Sequence, residues 1–290
     1  MENGYEKMNI HWFPGHMTKA QRMIEENISL VDAVCEILDA RIPSSSRNPD
    51  IDALAGDKPR MIILNRTDLA DPAATAAWKR HFEDGGLMVL ETDARSGKGV
   101  KAFAPAVRKL LSEKLRSYEQ KGQTGRALRV MILGIPNVGK STFINKVAGR
   151  KAAPAGDRPG VTRGKQWINI GTGLVLMDTP GILWPKFESQ EVGEMLAITN
   201  AIKSDVLDKE TLGANFMLRL AEMYPQAVKD RYKFTPDREL GGFGLLEQAA
   251  KKRGFLVSGG EYDTERMANT LLGEYHEGKL GRITLELPDD

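Results

Sequence analysis

The chain has 290 residues, 41% hydrophobic and 28% charged, which is the composition of a soluble globular protein of one large or two ordinary domains. Its 41 basic and 39 acidic residues leave a formal charge of +2, too balanced to advertise nucleic acid, and it has no internal repeat or low-complexity tract. The charge is uneven: from Ala201 onward 13 lysines and arginines face 16 acidic residues, and before it 28 face 23, so a basic surface is expected in the first two thirds.

The N-terminus, "MENGYEKMNIHW", lacks both an apolar signal core and an Arg/Ser-rich targeting pattern, and no apolar run approaches the roughly 18–20 residues that span a membrane. A cytoplasmic protein is expected. Residues 18–30 have amphipathic helical spacing, with Thr18 as a cap. "VDAVCEILDA" has the continuous, β-branched character of a buried parallel strand, and its Cys35, the only cysteine, reads as a buried, inert thiol. Residues 60–64 and 87–92 read as two more strands, with a helix at 71–82 between them that has Pro72 in its first turn. A helix follows at 99–117, then a polar, glycine-containing linker, "YEQKGQTGRA". "LRVMILG" is a fourth strand, 140–148 a helix, and "QWINIG" and "LVLMD" a hairpin around Gly171 to Gly173. Beyond Trp184 the segments 191–202, 209–224, 240–252 and 264–276 are helical with no strand between them, and "RITLEL" is a closing strand or tail. The fold class that follows is α/β, a mostly parallel sheet with helices on both faces, followed by a small, mostly helical domain.

Gly134 to Ser141, "GIPNVGKS", fits G-x-x-x-x-G-K-[ST] between a strand and a helix, the context that a phosphate-cradling loop requires. The backbone of Asn137, Val138, Gly139, Lys140, Ser141 and Thr142 then points N–H groups at phosphate oxygens. Lys140 is expected on the β- and γ-phosphates and the Ser141 hydroxyl on Mg²⁺. Asp178-Thr179-Pro180-Gly181 ends a strand: Asp178 suits a water-mediated Mg²⁺ contact, and the Gly181 N–H suits the γ-phosphate. Thr162, in "GDRPGVTRG", is the candidate switch threonine, facing Mg²⁺ and γ-phosphate. Upstream, Asn65-Arg66-Thr67-Asp68 follows an apolar strand. A carboxylate at Asp68 accepts two hydrogen bonds from guanine N1–H and N2, a donor pair that adenine lacks, and Asn65 ties this loop to its neighbours. "DARSGKG", with Asp93 and Ala94, follows the next strand and offers the Ala94 N–H to guanine O6.

The parts of a GTPase are therefore present in the order base, base, phosphate, switch, switch. Together with the strings "HWFPGHM", "DARIPSSSRNP", "GIPNVGKST", "GDRPGVT" and "DTPGILWPKFE", this order resembles the circularly permuted GTPases, and within them the ribosome biogenesis GTPase A family. The resemblance implies a permuted Ras-like G domain over residues 1–185, with an N-terminal extension at 1–17, and a helical RNA- and ribosome-binding domain over 186–290. It implies GTP and GDP as ligands with Mg²⁺. The implied partners are the large-subunit precursor, its rRNA and its proteins; no membrane is implied, and a monomer is expected. An alternative is a GTP-dependent RNA-binding switch in which hydrolysis is incidental. Related loops carry Lys where this chain has Arg66, whose guanidinium is expected to stack on guanine with different geometry. They carry Ser where this chain has Asp93.

Ile182 stands where a Ras-like enzyme places its water-orienting Gln, so slow intrinsic turnover is expected. The resemblance offers Asn137 as a K⁺ ligand and His16 as a group that orients water or senses the switch; a local capping role for His16 is the other reading. Lys251-Lys252-Arg253 either complements a helix dipole or meets RNA phosphate. Arg41 and Arg47 lie in a loop that touches either RNA or the switch.

Overall fold

The computed structural model describes residues 5–8, 10, 16–123, 125–150, 152–153, 166–171, 173–184, 187, 189–202 and 207–288, without the side chains of residues 16 and 17. The chain forms two units, one of residues 12–186 and 286–290, the other of residues 1–11 and 187–285.

The first unit is built on six strands: β1 (Ala33–Asp39), β2 (Arg60–Asn65), β3 (Met88–Glu91), β4 (Leu128–Leu133), β5 (Gln166–Asn169) and β6 (Leu174–Asp178). Their order in space is β3-β2-β1-β4-β6-β5, and only β5 runs antiparallel to its neighbour. The chain starts at the centre with β1 and steps outward to β3. It then returns to the other side of β1 with β4. Strand order thus reverses between β1 and β4, the point where open α/β sheets bind ligands beyond the strands' C-terminal ends.

All seven residues of β1 are buried, which requires cover on both faces. On one face α1 (His16–Asn27) and α2 (Asp50–Ala55) pack Ala20, Ile24, Ile51 and Ala55 against Val34, Met131, Leu133 and Met177. On β1, β2 and β3, Trp78 and Phe82 of α3 (Pro72–Asp84) cover Leu38, Ile62, Leu64 and Val89. The alternate residues Cys35, Ile37, Ile63, Val130 and Ile132 are equally buried. Helices α4 (Phe103–Leu110) and α6 (Lys140–Ala148) meet each other through the edge-to-face rings of Phe103 and Phe143 and contact β3 and β6. Burial pushes the Cys35 thiol far above its ordinary pKa, as expected of an inert side chain.

Several local expectations change. Thr18 is not a cap, because α1 begins two residues earlier. The helix expected at 99–117 is a short 3₁₀ turn, then α4, then α5 (Ser112–Gln120), with a break at Leu111. Asp71 caps α3 by accepting from the N–H groups of Ala73 and Ala74. At the C-terminus Glu286 accepts from the N–H groups of Ser44 and Ser45, and its carbonyl accepts from the Trp78 indole.

The second unit contains α7 (Gln190–Ile198), α8 (Lys209–Met223), α9 (Pro225–Tyr232), α10 (Gly241–Arg253) and α11 (Thr264–His276). α8 is the central helix, packed by α10 and α11. Helix α9 was not expected; it follows the one-residue break at Tyr224, with Pro225 in its first turn. "RITLEL" is a tail without strand pairing: Ile283, Thr284 and Leu285 are buried, and the Tyr224 hydroxyl bonds the backbone of Thr284. The early residues expected to extend the G domain belong to this unit up to residue 11. Buried Asn215 of α8 explains why: its side-chain amide makes two bonds to the backbone of Glu6, and the Ile10 N–H donates to Gln190.

Candidate nucleotide site

β4 delivers the chain into the loop Gly134 to Gly139, and α6 starts at Lys140. Gly139, with φ of 95°, is required on two counts: a Cβ there would lie 2.6 Å from the Asn65 side-chain nitrogen and would adopt a conformation that L-residues rarely hold. Lys140 is buried and its Nζ donates to the carbonyls of Gly134 (3.0 Å) and Ile135 (2.8 Å). An ammonium has three donors, so this arrangement leaves one for an anion. Burial lowers the Lys140 pKa to about 8, and the charge of Asp178 opposes the shift.

The two loops expected to read the base come to the phosphate loop through one side chain. Asn65, at the end of β2, donates to the carbonyl of Val138 (2.7 Å) and accepts from the Ala94 N–H (3.0 Å) and the Thr92 hydroxyl (3.2 Å). Three segments far apart in sequence thus converge on one buried amide. Thr67 adds two bonds from its N–H and hydroxyl to the Thr92 carbonyl. Asp68 is exposed beside them. Asp93 accepts from the N–H groups of Arg95 and Ser96 and folds its own loop. Burial raises its pKa, but the bonds from Ser96 and Arg95 outweigh that and hold it below the usual carboxylate value. Here, then, the Ala94 N–H is given to Asn65.

Arg66 behaves differently from the stacking group expected of it. With φ of 64° it turns back, and its guanidinium donates to the Asn137 carbonyl (2.6 Å) and lies 3.6 Å from an Asp39 oxygen. Asn137 has φ of 60°, so the two non-glycine left-handed residues of the site are joined to each other. Asp39 also forms a two-pronged bond with the fully buried Arg41, at 3.0 and 2.8 Å. Burial raises the Asp39 pKa, but the charge and bonds of Arg41 and the charge of Arg66 overcome it, so the carboxyl titrates below its normal range. Arg41 therefore does not reach RNA, and Arg47 pairs with Asp52. Sequence reasoning missed the role of Asp39. The only signal was a charged pair two residues apart at a strand end.

Asp178 closes β6, fully buried, and the Thr179 hydroxyl bonds the Ile132 carbonyl. Gly181 lies against the phosphate loop: a Cβ would sit 2.7 Å from the Pro136 backbone. Ile182 donates its N–H to the Gly134 carbonyl, and its side chain enters the apolar cluster under α1. No side chain at that position orients water. Ser141 is partly buried and Thr142 exposed at the start of α6. Thr162 lies outside the described residues, and His16 is the first residue of α1, its side chain likewise outside them.

Among the described residues no cluster of three or more His, Cys, Asp or Glu side chains is placed to hold a metal. The oxygen donors present, one hydroxyl at Ser141 and one carboxylate at Asp178, suit a cation that keeps several waters and takes its remaining ligands from a nucleotide, which is the habit of Mg²⁺. Among the described residues no helix is long and apolar enough to cross a membrane.

Comparison with known proteins agrees with this geometry. A family model described as a 50S ribosome-binding GTPase matches residues 129–218, which begin at the phosphate-loop strand and omit the base-reading loops upstream. A relative from Bacillus cereus named ribosome biogenesis GTPase A is 44% identical over 283 residues, 98% of this chain and 95% of the relative. Two solved structures cover nearly the whole fold. GDP-bound TM YlqF is 28% identical with a TM-score of 0.65 over 92% of this chain and 99% of that one. GNP-bound YlqF from T. maritima is 29% identical with a TM-score of 0.64 over 94% and 99%. The central phosphate-loop strand, the base loops that precede it in the chain and this full-length identity agree: the chain belongs to the ribosome biogenesis GTPase A family and is a P-loop GTPase with a circularly permuted G domain.

Proposed function

We propose that this GTPase is an assembly factor for the large ribosomal subunit, binding the precursor particle and its rRNA in the GTP state and hydrolysing GTP when the particle activates it. The observation that carries the nucleotide half is the Asn65 amide, which joins the phosphate loop to both base loops and so makes one pocket of three distant segments. The names of the relatives carry the ribosomal half.

Within that pocket Asp68 reads guanine N1–H and N2. Ala94 offers its N–H to O6 while sharing it with Asn65. The aliphatic stem of Arg66 packs on the base, because its guanidinium is held by Asn137 and Asp39. Backbone N–H groups of residues 137–142 cradle the phosphates, and the remaining Lys140 donor reaches them. Ser141, Thr162 and, through a water, Asp178 would hold Mg²⁺, whose charge would offset that of the phosphates. Asn137 is the K⁺ candidate, and His16 the candidate for orienting water. Since Ile182 is sunk in the core, the group that completes the catalytic arrangement comes from elsewhere: His16, K⁺ or the particle itself. The same residue favours the second reading, in which hydrolysis is incidental to GTP-dependent RNA binding.

The test is GTP turnover with and without large subunits, in K⁺ and in Na⁺, beside cosedimentation with the particles and a non-hydrolysable GTP analogue. Stimulation by subunits and nucleotide-dependent cosedimentation are expected. Cosedimentation without stimulation at any salt would sink activation and leave the second reading. Absence of both would end the ribosomal assignment.

A further inference from the structure

Between Arg95 and Arg129 the chain carries ten lysines and arginines and two acidic residues, Glu113 and Glu119, although the whole chain is nearly neutral. The fold gathers much of this charge at the N-terminal ends of β1 and β4, away from the nucleotide loops at their C-terminal ends. The Arg126 guanidinium lies over the Tyr118 ring at 4.8 Å, with the Lys114 ammonium over the same ring at 5.8 Å. Arg129 lies over the Trp167 ring at 5.5 Å. Trp167 is 37% exposed on the edge strand β5. The Arg108 guanidinium rests at the Gly173 turn, whose carbonyl accepts from the Leu128 N–H, and Arg150 donates to the Asn169 carbonyl on the same edge. Asp32 sits among these groups, bonded to Lys114, to Tyr118 and to the Arg129 N–H.

Helix-dipole complementation accounts for Arg108 and Lys109 in the last turn of α4. It does not account for Arg126 and Arg129, which lie in a loop and on a strand. The pattern of cations interleaved with partly exposed rings is what unpaired nucleic-acid bases need: rings and guanidinium planes to stack on, with cations along the phosphates. The helical unit has cation–ring pairs as well, Arg266 over Phe255 at 4.1 Å and Lys251 over Tyr262 at 6.0 Å, but its Arg253 is bound to Glu274 (2.8 Å) and it has no run of ten cations to two acids.

We infer that the Tyr118–Arg126–Arg129–Trp167 face of the sheet unit is an interface for single-stranded or looped RNA. The choice of RNA as the polyanion rests on the ribosomal reading above.

Fluorescence anisotropy of the full-length protein with a labelled oligouridine 20-mer, and with a 20-base-pair duplex RNA, tests it across 50–200 mM salt. An Arg126→Ala/Arg129→Ala variant is expected to weaken both RNAs about tenfold or more and to lower the single-strand log–log salt slope by about 1.4, two phosphate contacts' worth. Trp167→Ala is expected to weaken the single strand about tenfold and leave the duplex nearly unchanged, because only unpaired bases stack. Lys251→Ala/Lys252→Ala serves as the comparator and is expected to change little, with basal GTP turnover and melting temperature equal to the parent in all three. The inference falls if the face variants bind like the parent, if the parent binds neither RNA, or if only the comparator loses binding. Face variants that bind like the parent while the protein still cosediments with large subunits remove the face and keep the assembly role. The reverse result removes the assembly role and keeps the face.

Discussion

The two units use charge in opposite ways. In the sheet unit, polar side chains tie one loop to another at the strand ends, Asn65 to Val138 and Ala94 and Arg66 to Asn137 and Asp39, while buried Arg41 pairs with Asp39. In the helical unit, polar groups tie helix to helix. Glu274 of α11 gathers Arg231 and Tyr232 of α9 and Arg253 of α10. Burial raises the Glu274 pKa, but bonds from Arg231 and Tyr232 and the charge of Arg253 outweigh it and keep it ionised. The same residue types thus make a ligand-shaped junction in one unit and a brace in the other. Within the run Lys251-Lys252-Arg253, the Arg253 guanidinium is engaged in this brace.

The sharpest way to break this contrast is to remove one partner of a buried pair. Arg41→Met should destabilise the protein by about 3–5 kcal/mol, because Asp39 stays buried with its main partner gone. It should also weaken nucleotide binding, because Asp39 helps hold Arg66. Urea unfolding and nucleotide titration read both; normal affinity at reduced stability would make Asp39 a mere brace.

Lys140→Ala should lower single-turnover GTP hydrolysis by about 10²–10³-fold, the cost of removing one charged donor from a developing anion. Its unfolding free energy should not fall, since it deletes a buried cation. Turnover near the parent's would dissolve the proposed site.

Glu274→Ala should cost about 1–3 kcal/mol through the donors it strands, with GTP affinity and turnover unchanged. A change in nucleotide affinity would show the brace to be more than structural.

The smallest expected effect is on pH. Free Lys140 loses its proton near pH 8, whereas a phosphate beside it stabilises the charged form. GTP affinity should therefore fall by up to tenfold per unit above about pH 8, and Lys140→Ala should flatten that slope. Stability of the free protein runs the other way. The unfolded chain binds the extra proton between about 8 and the ordinary lysine value of 10.5, so stability rises with pH over that window.

How much of this was legible follows from the range of each interaction. The phosphate loop could be read because glycine spacing, the strand before and the helix after all lie within about twenty residues. The alternation of β1 through β4 with helices predicted the α/β sheet for the same reason, and the order of the base and phosphate loops predicted the permutation. The sheet order β3-β2-β1-β4-β6-β5 then explains how base loops that come early in the chain stand beside a phosphate loop that comes late. Helix α9 escaped notice because eight residues with a polar composition carry little periodicity, and "RITLEL" has strand character but finds no strand to pair with.

What no local pattern carried were the partners. Arg66 and Asn137 are 71 residues apart, Asn65 and Val138 73, and Glu6 and Asn215 209. Hydropathy and spacing report what a residue prefers, polar or apolar, turn or helix. Which buried donor meets which acceptor depends on the register of strands that pair across the whole chain. Residue chemistry was enough to find the phosphate loop and to propose a guanine reader at Asp68 beside it. Packing assigned the guanidinium of Arg66 to the phosphate loop, Arg41 to the interior, and the first residues to the helical unit, because a buried polar group takes the partner that folding brings within reach.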